Sequence, residues 1–207
     1  MLRRYFWLLL LLPQLAWADQ ASSDALTKLL ADFNGMTANF QQVISDPNGG
    51  ALQKASGKMA LVRPGKFRWQ TLKPNKQLIV TNDEQMWIYD EDLEQATVEK
   101  LQLGSGTPAT LLSGDLTQLD KDFTITRVKS DDKGQWFQLT PKADESVFQW
   151  VKLGFVNGTV SGMVLLDNIG QQTDVDFTNV KLNPTIPSKQ FQFTPPAGVD
   201  VVGQTTE

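Results

Sequence analysis

The side chains that most often do chemistry in proteins are missing from this chain. Its 207 residues include no histidine and no cysteine. Histidine is the commonest general base and the commonest metal ligand. Without it and without cysteine, a Ser-His-Asp or Cys-His machine and an ordinary zinc site are excluded. Serines and carboxylates remain to be weighed. Gly158-Thr159-Val160-Ser161-Gly162 superficially suggests a serine hydrolase. Its spacing is not G-x-S-x-G, it falls in a hairpin rather than before a helix, and no histidine is present to serve Ser161. Asp90, Glu91, Asp92 and Glu94 form an acidic run without the D-x-[DN]-x-[DN]-G pattern of a calcium loop. They read as a solvated loop. Asp174 and Asp176 share one face of a strand, and two acids can cleave a glycoside without histidine. That face, however, is expected to meet solvent. Asn157-Gly158-Thr159 matches a glycosylation acceptor, and a hairpin turn already explains it. These patterns predict a protein that is not an enzyme and carries no metal or cofactor.

The elements that would hold any site begin with a leader. Arg3 and Arg4 precede an apolar run over 5–12 that ends in five leucines, and Ala16-Trp17-Ala18 supplies the small residues of a cleavage site. This is the pattern of a secretory signal peptide. The run is too short for a transmembrane anchor, which needs about 20 apolar residues. Cleavage is expected after Ala18, with residues 19–207 forming one domain. Loss of Arg3 and Arg4 leaves 17 Lys and Arg against 23 Asp and Glu. An acidic chain without a basic cluster is a poor partner for nucleic acid or an anionic membrane. An exported chain without cysteine relies on its core alone, and this length suffices for one.

Hydrophobic period divides the chain. Ser22-Ser23-Asp24 offers N-cap oxygens, and Leu26, Leu29, Leu30 and Phe33 then recur at i, i+3, i+4 and i+7. That predicts an amphipathic helix of about ten residues, closed by Asn34-Gly35. From there the period is two. Met36, Ala38, Phe40, Gln42 and Ile44 share one face of a first strand. Further strands are expected over 52–62, 66–72, 77–81, 86–89 and 94–103. Thr107-Pro108 and Gly114 bracket a short helix over 109–113 that presents Leu111 and Leu112. Hairpins follow over 123–129 with 135–140, and over 147–155 with 159–166 around Asn157-Gly158. A strand over 171–180 and a proline-bearing tail complete the chain. The expected fold is mainly β, a single curved or partly closed antiparallel sheet of about 10–11 strands with short helices. Phe67 and Trp69 alternate with Lys66, Arg68 and Gln70. A sheet with one greasy face must curl on itself or be covered. Short helices can cap a mouth but hardly fill a sandwich, so a cavity is expected. Taken alone, Phe67 and Trp69 are core aromatics, Leu111 and Leu112 are helix anchors, and Arg63 is a strand-end arginine in a surface ion pair.

Three segments together resemble the LolA family of periplasmic lipoprotein carriers. They are Arg63-Pro64-Gly65-Lys66-Phe67-Arg68-Trp69, an R-P-x-x-F-x-W pattern; Trp87-Ile88-Tyr89 with Glu94-Gln95-Ala96 and Thr107-Pro108; and Phe191-Gln192-Phe193-Thr194-Pro195-Pro196-Ala197-Gly198-Val199. The resemblance spans nearly the whole mature chain. It implies an incomplete antiparallel barrel lidded by helices, with a hydrophobic cavity for the acyl chains of lipoproteins. It implies receipt of cargo from the inner-membrane LolCDE transporter and delivery to the outer-membrane receptor LolB, by a monomer in the Gram-negative periplasm. It assigns Arg63 to fastening the lid. Leu26, Leu30, Phe40, Phe67, Trp69, Leu111 and Leu112 become candidate cavity lining. The competing reading is a periplasmic lipid or lipopeptide sensor of similar fold.

Overall fold

The computed structural model describes residues 16–82, 85–100, 108–131 and 134–203. The leader run, the Gly104-Ser105-Gly106 joint and the Thr107 cap lie outside the described residues. Among those described, twelve strands form one sheet: β1 (Gly35–Ser45), β2 (Ala51–Val62), β3 (Lys66–Lys73), β4 (Gln77–Asn82), β5 (Gln85–Asp90), β6 (Gln95–Lys100), β7 (Phe123–Asp131), β8 (Gly134–Pro141), β9 (Phe148–Val156), β10 (Thr159–Asp167), β11 (Gln172–Leu182) and β12 (Asp200–Gly203). Their order is β12-β6-β5-β4-β3-β2-β1-β11-β10-β9-β8-β7. The sheet curls but does not close, since β12 and β7 end the order as edges.

Successive hairpins account for most of this order. Asn157 and Gly158 both take positive φ, 50° and 75°, as the two-residue turn between β9 and β10 demands. The long-range pairing that joins the two halves sits at the centre. β1 pairs β2 on one side and β11 on the other, with Phe40 opposite Gly57 and Phe177. Joining the two halves of the chain at β1 brings β3–β5 and β9–β11 to face each other across the concave side.

Two expectations need correction. The strand count is twelve because Asp200–Gly203 pairs parallel to β6 along an otherwise open edge. Its four residues are all exposed, so no burial alternation marks them. The first helix, α1, spans Ala16–Ala31, so Ser22 and Ser23 lie inside it rather than at its cap. Both serve tertiary contacts instead. Ser22 Oγ accepts from the Arg127 backbone N–H at 3.2 Å, and Ser23 Oγ donates to Asp120. These bonds seat α1 along β7 and beside α3 (Leu119–Asp122). The second helix, α2, spans Pro108–Ser113.

The core lies on the concave face. Leu26 and Leu30 of α1, Phe33 just beyond it, and Leu111 and Leu112 of α2 are buried against Met36, Leu61, Phe67 and Phe123. The expected stripe is therefore the buried one, with Leu29 half-buried beside it and Phe33 past the helix end. The C-terminal arm crosses the convex side. There Phe193 meets Trp87 and Tyr89 at ring distances of 5.5 and 5.2 Å, and Arg68 donates to the Gln190 carbonyl at 3.2 Å. Two of the motif-bearing segments thus touch.

Candidate functional site

The helices occupy only one end of the concave face. Beyond them the sheet encloses a cavity of about 460 Å³, inside the range of roughly 300–1,000 Å³ usual for ligand pockets. Its walls come from both halves of the sheet. Phe67, Trp69 and Thr71 of β3, Ile79 of β4, and Met86 and Ile88 of β5 face Phe148 of β9, Met163 and Leu165 of β10, and Thr173 and Val175 of β11. Cross-strand register builds this wall in rows. Trp69 stands opposite Ile79 and Ile79 opposite Ile88, so one apolar row runs across three strands. The period-two alternation of β3 sends Phe67 and Trp69 inward and Lys66, Arg68 and Gln70 outward.

Trp69 is the hinge of the packing. Its ring stacks on Phe40 at 3.8 Å and meets Phe177 edge-on at 6.3 Å. Such aromatic pairs each contribute about 0.5–1.5 kcal/mol beyond area burial. Gly57 makes the stack possible. A Cβ there would stand 2.0 Å from the Gln70 carbonyl oxygen and 2.7 Å from the Phe40 ring. Any side chain at 57 would push Phe40 off Trp69.

The helix-covered end is fastened by one turn. Arg63, Pro64 and Gly65 join β2 to β3 at the foot of both helices. Arg63 Nη1 donates to the carbonyls of Leu30 and Phe33, each at 2.6 Å. The Leu30 carbonyl is one that the end of a helix leaves without a partner, and a cation there also meets the negative end of the helix dipole. The guanidinium lies 4.4 Å over the Phe33 ring. Gly65, at φ 75°, donates its backbone N–H to Ser113 of α2 at 2.8 Å. One turn therefore holds the C-terminal ends of α1 and α2. Asn183 assists: its Oδ1 accepts from Asn34 N–H at 2.8 Å.

Arg63 departs from a strand-end arginine in a surface ion pair. It is partly buried, and that burial pushes its pKa down to about 10. Its Nε and Nη2 are buried without a hydrogen-bond partner among the described residues. Each bond to a charged donor contributes about 1.5–3 kcal/mol, and each orphaned buried N–H costs about 1–3 kcal/mol. Two bonds set against three orphaned N–H groups, one on Nε and two on Nη2, leave a small net contribution. The contact fixes geometry while adding little net stability.

Phe67 and Trp69 line the cavity, and Phe40 lies directly behind Trp69. Leu26, Leu30, Leu111 and Leu112 fill the helix-covered end instead. Several lining residues escaped sequence reasoning, above all Gln42, Gln53, Asn75 and Gln77. A cue existed for Gln42, which shares its face of β1 with Met36, Ala38 and Phe40. Asp90 also needs correction. It ends β5 at the mouth of the cavity, where its Oδ1 accepts from the N–H groups of Asp92 and Leu93, each at 3.1 Å. Glu91 beside it is solvated and pairs with Lys76 at 2.8 Å. Asp174 and Asp176 flank the buried Val175 and lie on the opposite, convex side.

Among the described residues no group of three or more acidic side chains is placed to hold a metal ion, and no helix is long and apolar enough to cross a membrane. Among the described residues the lining contains no lysine or arginine, and Asp90 is its one ionisable residue. The arrangement is a mostly apolar recess. It can take up a flexible apolar group.

The family model for the outer membrane lipoprotein carrier protein LolA matches residues 31–194. An outer-membrane lipoprotein carrier protein of Legionella pneumophila (strain Lens) is 44% identical over 204 residues, covering 98% of this chain and 100% of that one. One from Pseudomonas paraeruginosa is 43% identical over 185 residues, covering 89% and 88%. Among solved structures, a LolA superfamily protein of Nitrosomonas europaea shares the fold at a TM-score of 0.51 and 13% identity, covering 85% of this chain and 98% of that one. An uncharacterised protein of Thermus thermophilus does so at 0.54 and 16%, covering 88% and 97%.

Proposed function

The chain belongs to the LolA family of outer membrane lipoprotein carrier proteins, and from that membership we propose that it is a periplasmic chaperone holding the acyl chains of lipoproteins in transit. The observation that carries this reading is the half-filled concave face. An open apolar cavity adjoins a second apolar volume that two helices fill and a single turn fastens. Swinging α1 and α2 aside would join the two volumes. A burial of about 0.8 kcal/mol per methylene makes an acyl chain of about 15 methylenes worth about 12 kcal/mol. Escape of the chain into water is then negligible, so a carrier is required, and the carrier must still let go.

The helices supply the means of release. In the empty state they cover Phe67 and bury Leu26, Leu30, Leu111 and Leu112. A cargo chain competes with that closed state, and whatever stabilises closure lowers cargo affinity. Arg63 acts here as a latch: its two bonds, to Leu30 of α1 and to Phe33 just beyond it, exist only when the helix is seated. Its small net contribution suits a lid that opens without an energy source. The membrane components at either end are LolCDE as donor and LolB as acceptor, with transfer running downhill in affinity to a monomeric carrier. The leader is cleaved after Ala18, leaving Asp19 as the first residue. No chemical step is assigned to any residue.

The experiment is a release assay. The mature chain is added to inner-membrane vesicles bearing a newly acylated lipoprotein. The reading expects a soluble one-to-one complex in the supernatant. Lipoprotein that stays entirely with the membrane contradicts it.

A further inference from the structure

We infer that the cavity mouth sorts lipids by charge, admitting acyl chains joined to their head by uncharged ester and amide links and rejecting those joined to a phosphate. This rests on the carrier reading and deepens it. The lining changes character from floor to mouth. Near the helices it is Phe67, Trp69 and Ile79; at the opening it is the carboxamides of Gln42, Gln53, Asn75 and Gln77. A carboxamide offers two N–H donors and one carbonyl acceptor. Ester and amide groups at an acylated protein terminus present carbonyl oxygens and peptide N–H groups, which such a rim can satisfy without any charge.

A phosphate meets a different environment. Among the described residues no lysine or arginine lines the cavity, and the one ionisable lining group is the Asp90 carboxylate. Lys76, in the turn beside Asn75, is paired with Glu91, and Lys73 at the end of β3 is not among the lining residues. An anion drawn into this mouth gives up water, finds no counter-charge and faces a like charge. Phosphate-bearing lipids vastly outnumber protein-linked chains in any bacterial membrane. A cavity indifferent to the head group would fill with them.

The test uses two lipids with the same two short acyl chains: a diacylated lipopeptide of neutral sequence and phosphatidylglycerol, both kept monomeric. Each displaces an apolar dye from the mature protein. The expected result is a preference for the lipopeptide of at least about tenfold, equivalent to about 1.4 kcal/mol. Gln53 and Asn75 are exposed at the rim, so both can be changed without disturbing the core. Gln53→Lys with Asn75→Lys is expected to shrink the preference by about tenfold, and Gln53→Glu with Asn75→Glu to widen it. Equal binding by the wild type, or a preference unmoved by either pair, overturns the inference while leaving the carrier reading intact. Failure of both lipids to displace dye sinks the carrier reading and the inference together.

Discussion

The two ends of the concave face are built by the same strands with the same alternation, yet one is core and the other is cavity. At the closed end Met36, Leu61 and Phe67 meet Leu26, Leu30, Leu111 and Leu112 and are buried completely or nearly so. At the open end Ile79, Met86 and Ile88 face the same way and remain only partly buried. The difference is the presence of α1 and α2, not the chemistry of the sheet. An apolar strand face is a core wherever something covers it and a binding surface wherever nothing does. The helices here are a removable cover, because their C-terminal ends converge on the single turn Arg63-Pro64-Gly65.

That contrast breaks most easily at the open end. Ile88→Glu places an unpaired carboxylate on the apolar wall while leaving its strand half-buried and the fold intact. Dye affinity should fall about ten- to a hundredfold, equivalent to about 1.4–2.8 kcal/mol, with little change in melting temperature. Normal dye binding by the folded variant would mean the wall is not the site. The closed end should respond in the opposite sense. Leu30→Ala removes a fully buried side chain from the cover and should cost about 2–5 kcal/mol in a denaturant titration. Because the cover is weakened, dye affinity should hold or rise. A parallel loss of stability and of binding would show that the two ends are one rigid core.

The smallest stability change belongs to the latch. Arg63→Leu gives up two bonds but relieves three orphaned N–H groups and a desolvated charge, so unfolding free energy should move by no more than about 1 kcal/mol. Function should move far more. With the closed state no longer favoured, the variant should accept lipoprotein, hold it tightly and deliver it poorly to the outer-membrane receptor. A two-step transfer assay separates uptake from delivery. Delivery at the wild-type rate would reduce Arg63 to a structural residue.

Much of this architecture was legible in the residues. The leucine period of α1, the strand alternation and the Asn157-Gly158 turn each act through local geometry, which sequence records directly. The division of the concave face was not legible. Leu26 and Ile88 are equally apolar, and only the curl of the sheet decides that one plugs the space and the other lines what remains. Gln42 was visible as a polar residue on an apolar face, yet its meaning depends on Gln53 and Gln77 arriving from other strands. Arg63 carried no local sign of its partners, since the Leu30 and Phe33 carbonyls are brought to it by the end of α1. β12 escaped because four exposed residues held by edge pairing leave no hydrophobic pattern.

The central claim is that α1 moves away from the sheet when an acyl chain enters. A chain without cysteine allows two to be introduced alone for spin labelling, and Lys28 on α1 and Lys58 on β2 are both exposed. In Lys28→Cys/Lys58→Cys the distance between labels is measured empty and loaded with one equivalent of acylated peptide. The account predicts a longer and broader distribution on loading, with Arg63→Leu already shifted toward it when empty. An unchanged distribution with the acyl chain demonstrably bound would contradict it.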